Sequence, residues 1–251
     1  MRNWTAPKAI ECFHLAFLAA LRTKVPQDWY VLKGGSNLRY FYGSQRYSED
    51  IDLDVVVRSP QSLEDGVDGA LKLVLAIVRA SGIAIDLEAV RKPKQTDTTR
   101  RWKVPLIVPG FPEPVRTKVE FSNRNGERRY KLETVPAQVA SPYGIAPPLV
   151  QRYMPPAAVK QKVLALALRN ETQARDVFDL DLLFRGHRWS SDDVAAEVRA
   201  DAADAAAALT FDVFKDQVLP FLDSEVAVLY DEYAWDGMQT SVIEELLRET
   251  A

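Results

Sequence analysis

The sequence predicts a mixed α/β domain over residues 1–136 and an α-helical domain over residues 137–251. The first part alternates β-branched apolar segments with amphipathic segments, and the second part, after a proline-rich connector, is helical in pattern. Strands and helices followed by helices alone are typical of an α+β domain joined to a helical one. The predicted fold class is therefore α/β (α+β), a mixed sheet with flanking helices followed by a helical C-terminal domain.

Periodicity and turn residues place the elements of the first domain. An apolar stripe that contains Phe13, Phe17 and Leu21 predicts an amphipathic first helix. Ser36 follows two glycines and predicts the N-cap of a second helix, because a serine side chain accepts the free N–H groups of a first turn. β-branched apolar runs predict the strands. The predicted helices cover 7–24, 36–42 and 62–80, and the predicted strands cover 29–33, 51–57, 83–90, 101–108, 116–122 and 130–134.

The connector that follows residue 136 is broken by five prolines before residue 157. Beyond it, apolar residues recur at helical spacing to the end of the chain. The predicted helices of the second domain cover about 156–170, 173–185, 191–208, 211–221 and 238–249.

The composition limits the chemistry that the chain can carry. Cys12 is the single cysteine and His14 and His187 are the two histidines, so neither an internal disulfide nor a cysteine- or histidine-based metal site is expected. Any metal must bind to carboxylates, which favour Mg²⁺ or Mn²⁺. No apolar run is long enough to span a bilayer and no signal peptide is recognisable, so we expect a cytoplasmic protein with no membrane partner.

The modest net charge of −3 conceals two segments of opposite charge. Residues 91–131 contain 12 basic and 4 acidic residues, whereas residues 191–251 contain 15 acidic and 3 basic residues. A basic face attracts a polyphosphate or an RNA backbone. The alternative is that both segments are ordinary solvated surfaces.

Three aspartates alternate along the strand predicted after residue 50. Because side chains on a strand alternate between faces, Asp50, Asp52 and Asp54 share one face. Carboxylates at successive positions repel each other unless solvent or a cation is close, and a divalent ion with oxygen ligands removes the conflict. The alternative is an edge strand with solvated aspartates.

A third metal ligand is expected from a neighbouring strand. Glu120 lies between Val119 and Phe121, so its side chain faces away from that apolar pair and shares a face with Lys118. Lys118 either contacts phosphate or neutralises Glu120. Asp86 is the rival for the third carboxylate.

The glycine pair before the carboxylate strand suits a phosphate. Gly34 and Gly35 allow a tight turn and a close backbone approach. Ser36 then opens a helix whose free N–H groups and dipole favour an anion. A phosphate cradle beside a metal site is what nucleotidyl transfer requires.

Two landmarks carry a family resemblance. The segment KGGSNL at 33–38, followed by RYSEDIDL at 46–53, resembles the nucleotidyltransferase superfamily and, in finer detail, the AbiEii/AbiGii-type toxin family. A second landmark of that family, a lysine helix followed by an Arg-Asp-x-x-Asp-Leu helix, is similar to KVLAL at 162–166 and RDVFDL at 175–180. Val163 stands where leucine is usual.

The resemblance implies a set of site residues and a metal-dependent reaction. NTP is the implied substrate and Mg²⁺ (or Mn²⁺) the implied cofactor, and the helical domain is expected to complete the active site. The implied catalytic residues are Asp50, Asp52, Glu120, Lys162 and Asp176, of which the first three are the metal ligands. The implied nucleotide contacts are Lys33, Gly35, Ser36, Arg46 and Lys118.

The second landmark allows two interpretations, one functional and one purely structural. Lys162 lies two turns before Arg169 on one helix face, and we interpret Lys162 as a phosphate or leaving-group contact. Asp176 would orient Lys162 or the acceptor. The alternative is an Arg175–Asp179 pair at i, i+4 on an ordinary amphipathic helix.

The function implied by the resemblance is that of a toxin of a toxin–antitoxin system. Such a toxin transfers NMP from an NTP to an RNA acceptor such as the tRNA 3′ end, and it has a cognate antitoxin as partner. The alternatives are nucleotidylylation of a protein or a small molecule, and a binding module that holds nucleotide without turnover.

Overall fold

A computed structural model describes residues 4–55, 59–93, 95–96, 98–122, 129–187 and 189–248. The chain forms two compact units. Unit 1 comprises Met1–Phe41 and Tyr47–Tyr153, and unit 2 comprises Tyr42–Arg46 and Met154–Ala251. The predicted fold class, a mixed α/β sheet followed by helices, is confirmed. Within the described part of the chain, no helix is both long and apolar enough to cross a membrane.

Unit 1 is built on a mixed sheet that has seven strands over the described residues. The strands are β1 (Tyr30–Lys33), β2 (Ile51–Val55), β3 (Asp86–Leu87), β4 (Thr99–Ile107), β5 (Val115–Ser122), β6 (Tyr130–Thr134) and β7 (Leu149–Tyr153). Their order across the sheet is β3-β4-β5-β2-β1-β7-β6. Strand β2 is parallel to β5 and antiparallel to β1, and β1 is parallel to β7. The carboxylate strand β2 is therefore central, with a partner on each side.

Helices α1 and α3 form much of the core of unit 1 with the sheet. The helices of this unit are α1 (Ala6–Leu21), α2 (Gly34–Phe41), α3 (Pro60–Ala80) and the short α4 (Ala137–Ala140). The predicted apolar stripe of α1 is buried, as are Ile51 and Leu53 on the apolar face of β2. Each large apolar side chain buried in this way contributes about 1.5–3 kcal/mol. The burial fixes the register of β2, because a slip of one residue would move Ile51 and Leu53 to the opposite face of the sheet.

Strand β7 was not predicted, because its five residues lie within the proline-rich connector. Pro147 and Pro148 precede it and Pro155 and Pro156 follow it, and these turn signals hide a short strand. The strand predicted over 83–90 is reduced to the two residues of β3. Residues 56–57 of the strand predicted over 51–57, and several charges of the 91–131 segment, lie outside the described residues.

Unit 2 is helical. Its helices are α5 (Pro155–Leu168), α6 (Ala174–Gly186), α7 (Ala196–Ala207), α8 (Phe211–Gln217), α9 (Ser224–Ala227) and α10 (Glu232–Leu247). An aromatic cluster joins α6, α8 and α10 through Phe178, Phe214 and Trp235. The compact units divide after Tyr153, since β7 pairs with β1 and β6, whereas the predicted domain boundary falls after residue 136. That the helical part completes the active site stays a prediction.

His14 of α1 lies buried beneath the sheet. Its Nε2 lies 2.9 Å from Thr117 Oγ1, and the Thr117 hydroxyl donates to the backbone carbonyl of Glu49 at 2.7 Å. Because that hydroxyl proton is already used, we assign the proton of His14 to Nε2, which donates to Thr117. Burial lowers the pKa of His14 to about 3.

We expect His14 to make the fold sensitive to moderate acid. The unfolded chain binds a proton at this histidine below about pH 6.5, whereas the folded chain does so only near pH 3. The contribution of His14 to stability is therefore complete above pH 6.5, and about 2 kcal/mol of it is lost by about pH 5. Urea unfolding at about pH 7.5 and pH 5 measures this loss, and His14→Gln should lack it. An equal pH difference in both chains would contradict the assignment.

Candidate active site

The predicted carboxylates of β2 and β5 meet in the centre of the sheet. Asp52 and Glu120 are directly opposite each other in the parallel pairing of β2 with β5, and Asp50 lies immediately before β2. Burial raises the pKa of Asp52; Lys33 opposes this shift, and the charges of Asp50 and Glu120 add to it. The three carboxylates therefore lie within electrostatic range of one another. Asp86, the rival ligand, lies on the edge strand β3 and pairs with Arg79.

Two cations neutralise the outer carboxylates. The Lys118 ammonium lies 2.9 Å from Asp50 Oδ2, and the backbone N–H of Lys118 donates to Asp50 Oδ1 at 3.1 Å. Burial lowers the pKa of Lys118, but its hydrogen bond to Asp50 and the surrounding carboxylates outweigh burial and raise it. Arg101 lies opposite Glu120 on β4, and its guanidinium is 2.6 Å from Glu120 Oε2. Sequence reasoning missed Arg101, because only the β4–β5 register reveals the pair.

The side-chain oxygens of the three predicted ligands are of the type that binds a divalent cation. Asp50, Asp52 and Glu120 offer carboxylate oxygens alone, the ligands that Mg²⁺ prefers. The backbone leaves room beside them: a Cβ built on Gly34 would lie 3.1 Å from Asp52 Oδ2, a contact that glycine avoids. Among the described residues, no three His, Cys, Asp or Glu side chains are arranged as a ready metal site.

The glycine bend lies directly beside the carboxylates. Gly34 has a φ of 65°, a left-handed conformation that glycine adopts at little cost, and helix α2 begins at this residue. Gly35 and Ser36 are in its first turn and are buried. The prediction that Ser36 is the N-cap is wrong, because the left-handed bend starts the helix two residues earlier. The Ser36 hydroxyl instead donates to the backbone carbonyl of Asp50 at 3.2 Å.

Lys33 is anchored by an aspartate of the same strand pair. Its ammonium lies 2.5 Å from Asp54 Oδ1, and Asp54 also accepts a hydrogen bond from the Tyr153 hydroxyl at 2.9 Å. Asp54 was predicted to share a face with Asp50 and Asp52, and the structure gives it these separate partners. The role of Tyr153 could not be foreseen, because β7 was not predicted.

The second landmark forms a buried ion network within unit 2. The Lys162 ammonium is 2.9 Å from Asp176 Oδ1 and 2.6 Å from Asp179 Oδ2. Arg46 binds both oxygens of Asp179, at 3.1 and 2.8 Å, and all four side chains are buried. Arg169 lies 3.2 Å from Asp176 Oδ2. Burial favours a raised pKa for Asp179, but Arg46 and Lys162 outweigh it and hold the pKa below its usual value.

A cavity of about 570 Å³ opens beside Asp50 on the β4–β5 side of unit 1. Basic and acidic side chains both line it: Arg91, Lys103, Arg116 and Lys118 with Glu49, Asp50, Glu88 and Glu113. Lys103 and Lys118 are directly opposite each other across β4 and β5. Lys118 is paired with Asp50, whereas Lys103 is exposed to solvent.

Comparisons with known proteins agree with the fold and the landmarks. Two crystal structures from Helicobacter pylori resemble this chain at 19% sequence identity. The structure of JHP933 has a TM-score of 0.58 and covers 98% of this chain and 95% of its own, and that of a candidate nucleotidyltransferase has a TM-score of 0.56 and covers 95% and 96%. At this identity the likeness shows the fold alone. A search of curated proteins gives no match.

A family model decides the assignment. The model described as nucleotidyl transferase AbiEii toxin, type IV TA system, matches residues 16–247, nearly the whole chain. The resemblance carried by the two landmarks is thereby confirmed. This chain belongs to the AbiEii family of nucleotidyltransferase toxins of type IV toxin–antitoxin systems.

Proposed function

We propose that this toxin transfers a nucleoside monophosphate from an NTP to an RNA acceptor such as the tRNA 3′ end, with Mg²⁺ or Mn²⁺ held by Asp50, Asp52 and Glu120. The observation that carries the proposal is the in-register pair of Asp52 and Glu120 with Asp50 beside it. Family membership supplies the reaction class and implies a cognate antitoxin.

The reaction exchanges one P–O bond for another. The oxygen of an acceptor hydroxyl forms a bond to the α-phosphorus, and the bond from that phosphorus to the α,β-bridging oxygen breaks. Pyrophosphate leaves with the electron pair, and the hydroxyl proton passes to solvent. When bound, divalent ions supply stabilisation of the negative charge that develops on these oxygens.

The chain's own groups hold the donor nucleotide on the β1 side of the carboxylates. The free N–H groups in the first turn of α2, at Gly34, Gly35 and Ser36, and the positive end of the helix dipole favour the triphosphate. Lys33 adds a full positive charge beside that turn. Lys118 is placed to exchange Asp50 for a phosphate oxygen.

The acceptor is proposed to approach from the opposite side of the carboxylates, through the cavity beside Asp50. Arg91, Lys103 and Arg116 are exposed there, and no described carboxylate lies within ion-pair distance of them. Arg91, Lys103 and Arg116 together would attract the phosphates of an RNA backbone. The sheet order supports this division, since β1 and β4 lie on opposite sides of the β2–β5 pair.

The three site residues proposed in unit 2 differ in how well the structure supports a role in the reaction. Lys162 and Asp176 are retained as the proposed leaving-group contact and the carboxylate that orients it because the family's second landmark contains both, and their 2.9 Å ion pair is compatible with that orienting role. Arg46 is left out of the proposed nucleotide contacts. Its guanidinium is buried against Asp179, and a buried bidentate pair of this kind is structural in character.

The proposal predicts that label from an α-phosphate-labelled NTP appears on tRNA in the presence of Mg²⁺. Each of the four NTPs is incubated with the toxin and total tRNA. Periodate-oxidised tRNA, which lacks the terminal ribose hydroxyls, is the matched control and should accept no label. EDTA should abolish transfer. Label on a protein or a small molecule in place of RNA, or equal labelling of oxidised tRNA, would contradict the proposed acceptor.

A further inference from the structure

Asp54 has both carboxylate oxygens engaged. Lys33 occupies Oδ1 at 2.5 Å and the Tyr153 hydroxyl donates to Oδ2 at 2.9 Å, and Asp54 is buried, with 5% of its surface exposed. Asp54 lies opposite Ser122 in the pairing of β2 with β5, whereas Asp52 lies opposite the carboxylate of Glu120. Its burial and its register separate Asp54 from the carboxylates of Asp52 and Glu120, although strand alternation places Asp50, Asp52 and Asp54 on one face.

The Lys33 ammonium lies between two aspartates. Lys33 is directly opposite Asp52 in the pairing of β1 with β2, and its charge acts on Asp52. Within the described residues, Asp54 is the carboxylate at ion-pair distance from Lys33. An ammonium carries three N–H donors, and the contact with Asp54 uses one of them. Lys33 also directly precedes Gly34, where α2 begins.

Tyr153 is itself held in place from two sides. Its ring is buried and makes an edge contact with Tyr130, with ring centroids 6.3 Å apart. Its backbone carbonyl accepts a hydrogen bond from the Asn37 side chain of α2 at 3.2 Å. Tyr153 of β7 is thus held against β6 through its ring and against α2 through its backbone, and its hydroxyl donates to Asp54.

We propose that Asp54, supported by Tyr153, is a positioning residue that holds the Lys33 ammonium at the Gly34 bend, where it binds the triphosphate of the incoming nucleotide. The inference rests on the proposed function, because Lys33 is a nucleotide contact there. A lysine side chain has a flexible four-carbon stem, and fixing it before binding reduces the entropy that binding must offset. Asp54 acts through Lys33 and touches neither nucleotide nor metal.

The test is a double-mutant cycle on nucleotide affinity. Calorimetric titration of a non-hydrolysable NTP with Mg²⁺ measures Kd for the wild-type toxin and for Lys33→Met, Asp54→Asn and the double variant. We expect Lys33→Met and Asp54→Asn each to weaken binding by about tenfold, and the double variant to be no weaker than Lys33→Met alone. Losses that multiply to about 100-fold would overturn the proposal, because Asp54 would then act independently of Lys33.

A milder variant guards against a folding defect. Tyr153→Phe removes one hydroxyl and should raise Kd by about three- to fivefold in the wild-type chain but not in Lys33→Met. Tyr130→Phe is the matched control and should leave Kd unchanged. An equal loss from Tyr153→Phe in both backgrounds would overturn the proposal. Transfer assays separate the positioning role of Asp54 from the proposed RNA acceptor. If the cycle gives the expected affinities but RNA is not labelled, the proposed acceptor alone is contradicted. If RNA is labelled but the losses in affinity multiply, the positioning role of Asp54 alone is contradicted.

Discussion

Replacing Asp52 by asparagine is expected to lower kcat/KM for nucleotidyl transfer by at least about 1,000-fold, or about 4 kcal/mol of transition-state stabilisation. Asp52 lies opposite Glu120 and within electrostatic range of Asp50, so its charge is central to the proposed metal site. The amide keeps the shape of the side chain and removes only the charge. Rates with labelled NTP and tRNA measure the loss.

The matched control for this substitution is Asp86→Asn. Asp86 is a partly exposed aspartate on the edge strand, paired with the exposed Arg79, and its loss should leave transfer within about twofold of wild type. Asp52→Asn should also be at least as stable as wild type in EDTA. Burial raises the pKa of Asp52, and Asp50 and Glu120 add to that shift against the opposing charge of Lys33, so the folded chain disfavours its charge. An active Asp52→Asn variant, or an inactive one that is unfolded, would not fit this account.

Replacing Asp179 by asparagine is expected to lower the free energy of unfolding by about 3–5 kcal/mol. Asp179 is fully buried and pairs with both Arg46 and Lys162, so the substitution leaves two buried cations short of a negative charge. Arg46 holds the segment Tyr42–Arg46 in unit 2 through this contact. Urea unfolding monitored by fluorescence measures the change.

The matched control is Asp181→Asn on the same helix, α6. Asp181 pairs with Arg185, a largely exposed side chain at i, i+4, and burial raises the pKa of Asp181 despite that pair, so removing its charge should cost at most about 1 kcal/mol. The effect of Asp179 also has a defined pH range. Because its folded-state pKa is held below the usual value, its stabilisation is complete at neutral pH and is lost as the pH falls below about 4. Equal effects from the two substitutions would contradict the role of the network.

The elements of unit 1 could largely be predicted because their periodicities are strong. The alternation of Ile51 and Leu53 with the aspartates defines β2 and its two faces without any tertiary information. Short elements between prolines do not carry such a signal, which is why β7 was missed. The start of α2 was misplaced for a different reason: a left-handed glycine such as Gly34 can itself begin a helix, and the serine two residues later only resembles a cap.

The sequence predicts the carboxylates of the candidate site but not the side chains that pair with them. Strand alternation indicates which side chains share a face, whereas the neighbour across a strand pair depends on register. Arg101 beside Glu120 follows from the β4–β5 register, and Tyr153 beside Asp54 follows from the docking of β7 in the sheet. Arg46 illustrates the same limit: the motif predicts a nucleotide contact, and only the fold reveals its pairing with Asp179.

The central claim is that Asp50, Asp52 and Glu120 together hold a divalent cation. Electron paramagnetic resonance of Mn²⁺, titrated into the toxin in the presence of a non-hydrolysable NTP, tests it most directly because it requires no acceptor. We expect Asp52→Asn to weaken Mn²⁺ binding by at least about tenfold, or about 1.4 kcal/mol, and Asp86→Asn to leave it unchanged. Equal Mn²⁺ affinity in wild type and Asp52→Asn would contradict the claim.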